Sequence, residues 1–132
     1  MTTRETSMIR FALIEDDPDT RLLVRLAADL DPRYALVAEF ESLQDAVPGL
    51  LNQDVDVVIV DRLRQNHRTL ELLTQLRVAV GTARIVVVAH DRESVPPSVA
   101  VAAGADAFLD RTAFTSVSDA LQLATGRLHR AA

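Results

Sequence analysis

The chain has 132 residues, with fourteen basic side chains against nineteen acidic ones, a net charge of −5 and no cysteine. That length suits one domain with a real core. The absence of any basic cluster argues against nucleic-acid binding, and no apolar stretch approaches the roughly 18 residues of a membrane span. Lack of cysteine excludes disulfides and thiol catalysis and fits a cytoplasmic protein.

The opening MTTRETSM is polar and has no apolar signal core. Residues 1–8 are therefore expected to form a disordered tail ahead of a single domain over 9–130. The first strand is expected over Arg10 to Glu15 (RFALIE). Asp17 before Pro18 then makes an N-cap with proline at the first helical position, and Leu22, Leu23, Leu26 and Leu30 recur at helical spacing as its apolar stripe. Tyr34 to Phe40 (YALVAEF) reads as a less protected second strand. Ser42 opens a second helix, with Asp45 in place of a capping-box glutamate. Val55 to Asp61 (VDVVIVD) is the third strand. Leu70, Leu73, Leu76 and Val80 stripe a third helix that Gly81 closes. Arg84 to Ala89 (RIVVVA) is the fourth strand, Pro96 and Pro97 enter a short helix ending near Gly104, and Ala107 to Asp110 (AFLD) is a short fifth strand. Val117, Leu121, Ala124 and Leu128 stripe the last helix.

Strands alternating with helices predict an α/β fold, a doubly wound, five-stranded parallel sheet. Strands one, three and four are nearly continuous in apolar residues, as strands buried on both faces must be. With two and five at the edges, the order becomes 2-1-3-4-5, the flavodoxin-like arrangement.

Sites on such sheets lie at the carboxyl ends of the strands, where the strand order reverses. There strand one ends in Glu15-Asp16-Asp17 and strand three in Asp61. Clustered carboxylates raise one another's proton affinity, and a divalent cation relieves them. Mg²⁺ is the natural choice, since it needs only one or two carboxylates beside water, carbonyl and phosphate oxygens. A carboxylate beside Mg²⁺ can attack a phosphoryl group, and Arg111 beyond the fifth strand is placed to neutralise the transferred oxygens.

IEDDPDTRLLV, VDVVIVD and AAGADAFLDR, in that order and spacing, resemble the acidic opening, the phosphoacceptor strand and the closing stretch of response-regulator receiver domains. The resemblance covers residues 8 to 130. It implies Asp61 as phosphoacceptor, Asp16 and Asp61 as Mg²⁺ ligands, Glu15 reaching the metal through water, and Leu63 offering its backbone carbonyl. Phe108 stands where the family keeps its aromatic switch residue. Four departures mark an atypical receiver. Ala89 stands where a Thr or Ser hydroxyl is usual, and Arg111 replaces the closing Lys in a chain whose basic residues are all Arg. Thr112 follows in place of Pro, so the bond before it is expected to be trans. RLRQNHRTL replaces the usual Met-Pro and Gly after the phosphoacceptor. Arginine keeps the charge but is longer, planar and differently hydrated, so that exchange is not conservative.

Asp17 reads as the helix cap rather than a metal ligand. His67, His90 and His129 have no zinc-like spacing, although His90 lies close enough to the site mouth to reach a phosphoryl oxygen. Arg62 and Arg64 read as a solvated face or a screen for Asp61. The expected function is a stand-alone cytoplasmic receiver of a bacterial two-component or phosphorelay system. It would not be an enzyme; it would take a phosphoryl group from a sensor histidine kinase or phosphotransfer protein and signal to a downstream protein partner. A homodimer through helix four, strand five and helix five is also consistent, and neither nucleic acid nor membrane is an expected partner. The alternative is a pseudo-receiver that binds a protein or a second copy without phosphorylation.

Overall fold

The structure is a computed structural model that describes residues 8–61, 63, 66–89, 95–111 and 116–126. Residues 1–7 of the tail expected over 1–8, together with Leu128 and His129, lie outside the described residues, as do Arg62, Arg64, His90 and Thr112. In chain order the elements are β1 (Ile9–Ile14), α1 (Pro18–Asp29), β2 (Tyr34–Phe40), α2 (Leu43–Gly49), β3 (Val57–Asp61), α3 (His67–Val80), β4 (Arg84–Ala89), α4 (Pro97–Ala102), β5 (Ala107–Asp110) and α5 (Val117–Thr125). Each strand pairs in parallel, in the order β2-β1-β3-β4-β5.

Successive side chains of a strand point to opposite faces, and the sequence exploits this by making both faces apolar. Val58 and Val60 of β3, with Ile85 and Val87 of β4, pack with Leu43, Leu73 and Leu76 on the side covered by α2, α3 and α4. Val57 and Ile59, with Val86 and Val88, join Val24, Ala28, Leu121 and Ala124 under α1 and α5. β3 runs from Val57 rather than the expected Val55, and Asp56 just before it joins the end of the sheet: its amide donates to the Arg10 carbonyl (2.8 Å), its carbonyl accepts from the Arg84 amide (2.9 Å), and its carboxylate accepts from the Arg10 amide (2.8 Å).

The capping logic holds. Asp17 accepts from the Asp19 amide and the Thr20 hydroxyl, Ser42 from the Asp45 amide, and Gly81 closes α3 with φ of 62°. Gly104, with φ of 124°, has its α-carbon so close to Arg77 that a β-carbon would lie 2.9 Å from that side chain. Arg77 uses this approach to donate to the Gly104 carbonyl (3.1 Å) and the Asp106 carboxylate (2.8 Å), pinning the turn that launches β5.

The leucines whose spacing marks α1 as a helix do not face the core: Leu22, Leu23, Leu26 and Leu30 are 45%, 57%, 50% and 86% exposed, and Val24 and Ala28 are buried instead. Apolar residues surround most of this helix, so periodicity alone leaves its rotation open. A bidentate pair from Arg25 to Glu39 of β2, at 2.8 Å for both contacts, binds the helix flank to the neighbouring strand and favours the observed rotation.

Candidate functional site

Parallel pairing brings the carboxyl ends of β1 and β3 side by side, with Ile14 opposite Val60, so the next residues, Glu15 and Asp61, meet at one edge. Glu15 is only 6% exposed. Its amide donates to the Phe40 carbonyl (2.9 Å), and its Oε2 accepts from the Asp17 amide (3.0 Å). Burial raises the Glu15 pKa to about 9, helped by a hydrogen bond with the Asp61 side chain, the negative charge of Asp61 and a hydrogen bond with Asp16, against the lowering pull of the Asp17 amide. At neutral pH Glu15 therefore keeps its proton and shares it with the acids beside it. Asp17 is held below its ordinary value, chiefly by the Thr20 hydroxyl, as befits a cap.

Asp61 forms part of the lining of two cavities. One, of about 210 Å³, is bordered by Glu15, Asp16, Glu41, Ser42 and Thr69 as well as Asp61. The other, of about 80 Å³, runs under α1 and α5 and is shared by Asp61, Thr20, Val88, Arg111 and Ser116. Arg111 thus stands on the side of Asp61 away from the acids. Ala89 ends β4, one residue past Val88, which is the ladder partner of Asp61. Neither carries a hydroxyl. Phe108 of β5 is half-buried and packs against the core beneath α2, α3 and α4. Leu63 is buried, and its carbonyl already accepts from the Val95 amide (2.9 Å), which occupies one of its two lone pairs. His67 opens α3.

Residues 11–119 match the family model of the response regulator receiver domain. The chain belongs to that family. It is 38% identical over 104 residues to the transcriptional regulatory protein UhpA of Salmonella typhimurium, a stretch that is 79% of this chain and 52% of that protein. The chain thus spans about half the length of the curated relatives it matches. Among solved structures it resembles the response regulator domain of Thermotoga maritima CheB (TM-score 0.72, 17% identity, 92% of this chain and 96% of that one). It also resembles a Burkholderia pseudomallei response regulator with a phosphorylated aspartic acid, calcium ion and citrate (TM-score 0.67, 21% identity, 91% and 68%).

Within this receiver the sequence-expected acids, Glu15, Asp16 and Asp61, do converge, and two further residues join them. Glu41, the first residue beyond β2, lines the larger cavity, and Arg21 of α1 donates to the Glu15 carbonyl (2.7 Å). The order 2-1-3 carried the signal for Glu41, because it places the end of β2 beside the end of β1. Among the described residues no three His, Asp or Glu side chains form a ready-made metal cage. The donor set nonetheless fits Mg²⁺, which takes one or two carboxylates and fills its octahedron with water and carbonyl oxygens. Burial and the neighbouring Asp61 together raise the proton affinity of Glu15, and a cation bound beside these carboxylates would oppose that rise. No described helix is long and apolar enough to cross a membrane.

Proposed function

We propose that this receiver accepts a phosphoryl group on Asp61 and signals through protein–protein contacts. The observation that carries the reading is the meeting of Asp61 with Glu15, a buried acid of raised proton affinity, at the strand ends of a receiver fold. Asp16 and Asp61 would hold Mg²⁺, with Glu15 acting through water and the Leu63 carbonyl offering its remaining lone pair. Bound there, the metal would neutralise charge on the phosphoryl oxygens.

An Asp61 carboxylate oxygen attacks phosphorus, the bond to the nitrogen of the donor's histidine breaks, and the electron pair leaves with that nitrogen. Glu15, which keeps its proton without a cation, would lose it once Mg²⁺ is bound and would then accept hydrogen bonds from water there. Arg111 compensates the oxygens on the far side, and Ala89 supplies no hydrogen bond where a hydroxyl would. The donor is a sensor histidine kinase or a phosphotransfer protein, and the chain is a signalling module rather than an enzyme. The Burkholderia response regulator, similar in fold, contains a phosphorylated aspartic acid and a calcium ion, which supports this reading. The α4–β5–α5 face, with Val101 and Leu123 exposed, is the candidate surface for a downstream protein or a second copy.

Amide NMR spectra with Mg²⁺ and then beryllofluoride test this reading. Shifts beginning at Asp16 and Asp61 and changing further with beryllofluoride are expected. No response to either would overturn it.

A second reading rests on Ala89: a pseudo-receiver whose surface binds its partner without phosphorylation. Loss of partner binding in Asp61→Ala would sink that version.

A further inference from the structure

Arg21 lies one turn into α1, its amide donating to the carbonyl of the cap Asp17 (3.0 Å). Its side chain is 17% exposed. It does not reach for solvent but turns back to the strand ends. Nη1 donates to the Glu15 carbonyl at 2.7 Å, Nε lies 3.9 Å from Glu39, and Nη2 lies 4.0 Å from Glu41. Glu41 borders the cavity shared by Glu15, Asp16 and Asp61. One guanidinium therefore ties together the end of β1, the start of α1 and the acid beyond β2.

We infer that Arg21 is a positioning residue for cation binding at the acid site, holding Glu15 in place through its carbonyl. This rests on the metal-binding part of the proposed function. The arrangement has a consequence of definite sign. A positive charge beside a cation site opposes cation binding, so deleting it should tighten Mg²⁺ if charge were all that mattered. Positioning demands the reverse. Without the guanidinium, the Glu15 carbonyl loses its donor, the β1–α1 segment loosens, and the ligands must be ordered when the metal arrives. Groups that orient ligands from behind are worth about 10- to 100-fold in metal affinity.

Arg25 is an internal control. It is also an α1 arginine paired to Glu39, yet its two side-chain hydrogen bonds go to that carboxylate rather than to Glu15.

The test is a Mg²⁺ titration of the full chain followed by amide shifts, for wild type, Arg21→Ala, Arg21→Gln, Arg21→Lys and Arg25→Ala, below every variant's melting temperature. We expect the dissociation constant to rise about 10- to 100-fold in Arg21→Ala. It should rise in Arg21→Gln as well, recover towards wild type in Arg21→Lys, and stay within about twofold in Arg25→Ala. Should the alanine variant fail to fold, Arg21→Gln decides by the same sign. Unchanged or tighter Mg²⁺ binding in a folded Arg21→Ala or Arg21→Gln, even with a lowered melting temperature, overturns the inference and leaves the proposed function standing. A wild type indifferent to Mg²⁺ removes both.

Discussion

The two halves of the strand-end site are built differently. On the β1/β3 side, Glu15, Asp16 and Asp61 converge, Glu41 joins them, and Arg21 braces the backbone beneath. On the β4/β5 side, Ala89 offers a methyl group and Arg111 a guanidinium, at the positions where the sequence resemblance expects a hydroxyl and an amine. Under the proposed function the acid half would serve cation binding and phosphoryl attack, and the other half would read the phosphoryl group once it has arrived. Acceptance and readout would then be separable, and each half can be challenged by itself.

The largest effect is expected from Asp61→Asn. It should abolish the phosphorylated species and the beryllofluoride response entirely, as intact mass and amide spectra would show. It should also lower the Glu15 pKa, since the Asp61 charge and hydrogen bond both raise it. A phosphorylated Asp61→Asn chain would relocate the acceptor.

Next is the gain expected on the damaged side. Ala89→Thr restores a donor to a charged oxygen, which is worth about 1.5–3 kcal/mol, so beryllofluoride should bind about 10- to 100-fold more tightly, with shifts newly reaching Phe108. If wild-type spectra already carry the change to Phe108, the readout half has replaced its hydroxyl and the contrast between halves collapses.

Protonation separates the halves as well. Glu15 has a folded pKa of about 9, above its ordinary 4.5, so the stability it contributes is full below pH 4.5 and is lost as pH rises towards 9. Metal-free protein should therefore lose stability across that window, and saturating Mg²⁺ should flatten the loss because it favours the charged form. Asp17 and Glu39 are shifted downward, so their contribution is lost only as the solution turns acidic. Thermal melts against pH, with and without Mg²⁺, would show it, and identical slopes would dissociate Glu15 from cation binding.

The smallest expected effect is at the cap. Asp17→Ala removes an acceptor for the Asp19 amide and the Thr20 hydroxyl and should cost about 1 kcal/mol, seen as a melting point lowered by a few degrees. Mg²⁺ affinity should barely change, because the Asp17 side chain caps α1 and only its amide touches Glu15. A large loss of affinity would move Asp17 into the metal-binding set.

Much of this is legible in the sequence. The unbroken Val and Ile runs of β3 and β4 announce strands buried on both faces, and Asp17-Pro18 announces a helix start; both are local physics. The same runs place Asp61 at a strand end, and the strand order brings Glu15 beside it. The rotation of α1 is not legible in the sequence, because a helix with leucines on several sides has no unique inner face and an ion pair to a neighbouring strand is not a local property.

What the sequence determined by itself is the chemistry on offer: which strands are buried, where helices begin, which acids end strands, and that Ala89 and Val88 bear no hydroxyl. Each follows from side-chain type and spacing along the chain. The tertiary structure decided which groups act on one another. It turned the leucines of α1 outward, engaged the Leu63 carbonyl with Val95, and drew Glu41 and Arg21 to the acids. The reason is that contacts between β2, α1 and β1 arise only when separate segments pack, and the proton affinity of Glu15 depends on how deeply that packing buries it.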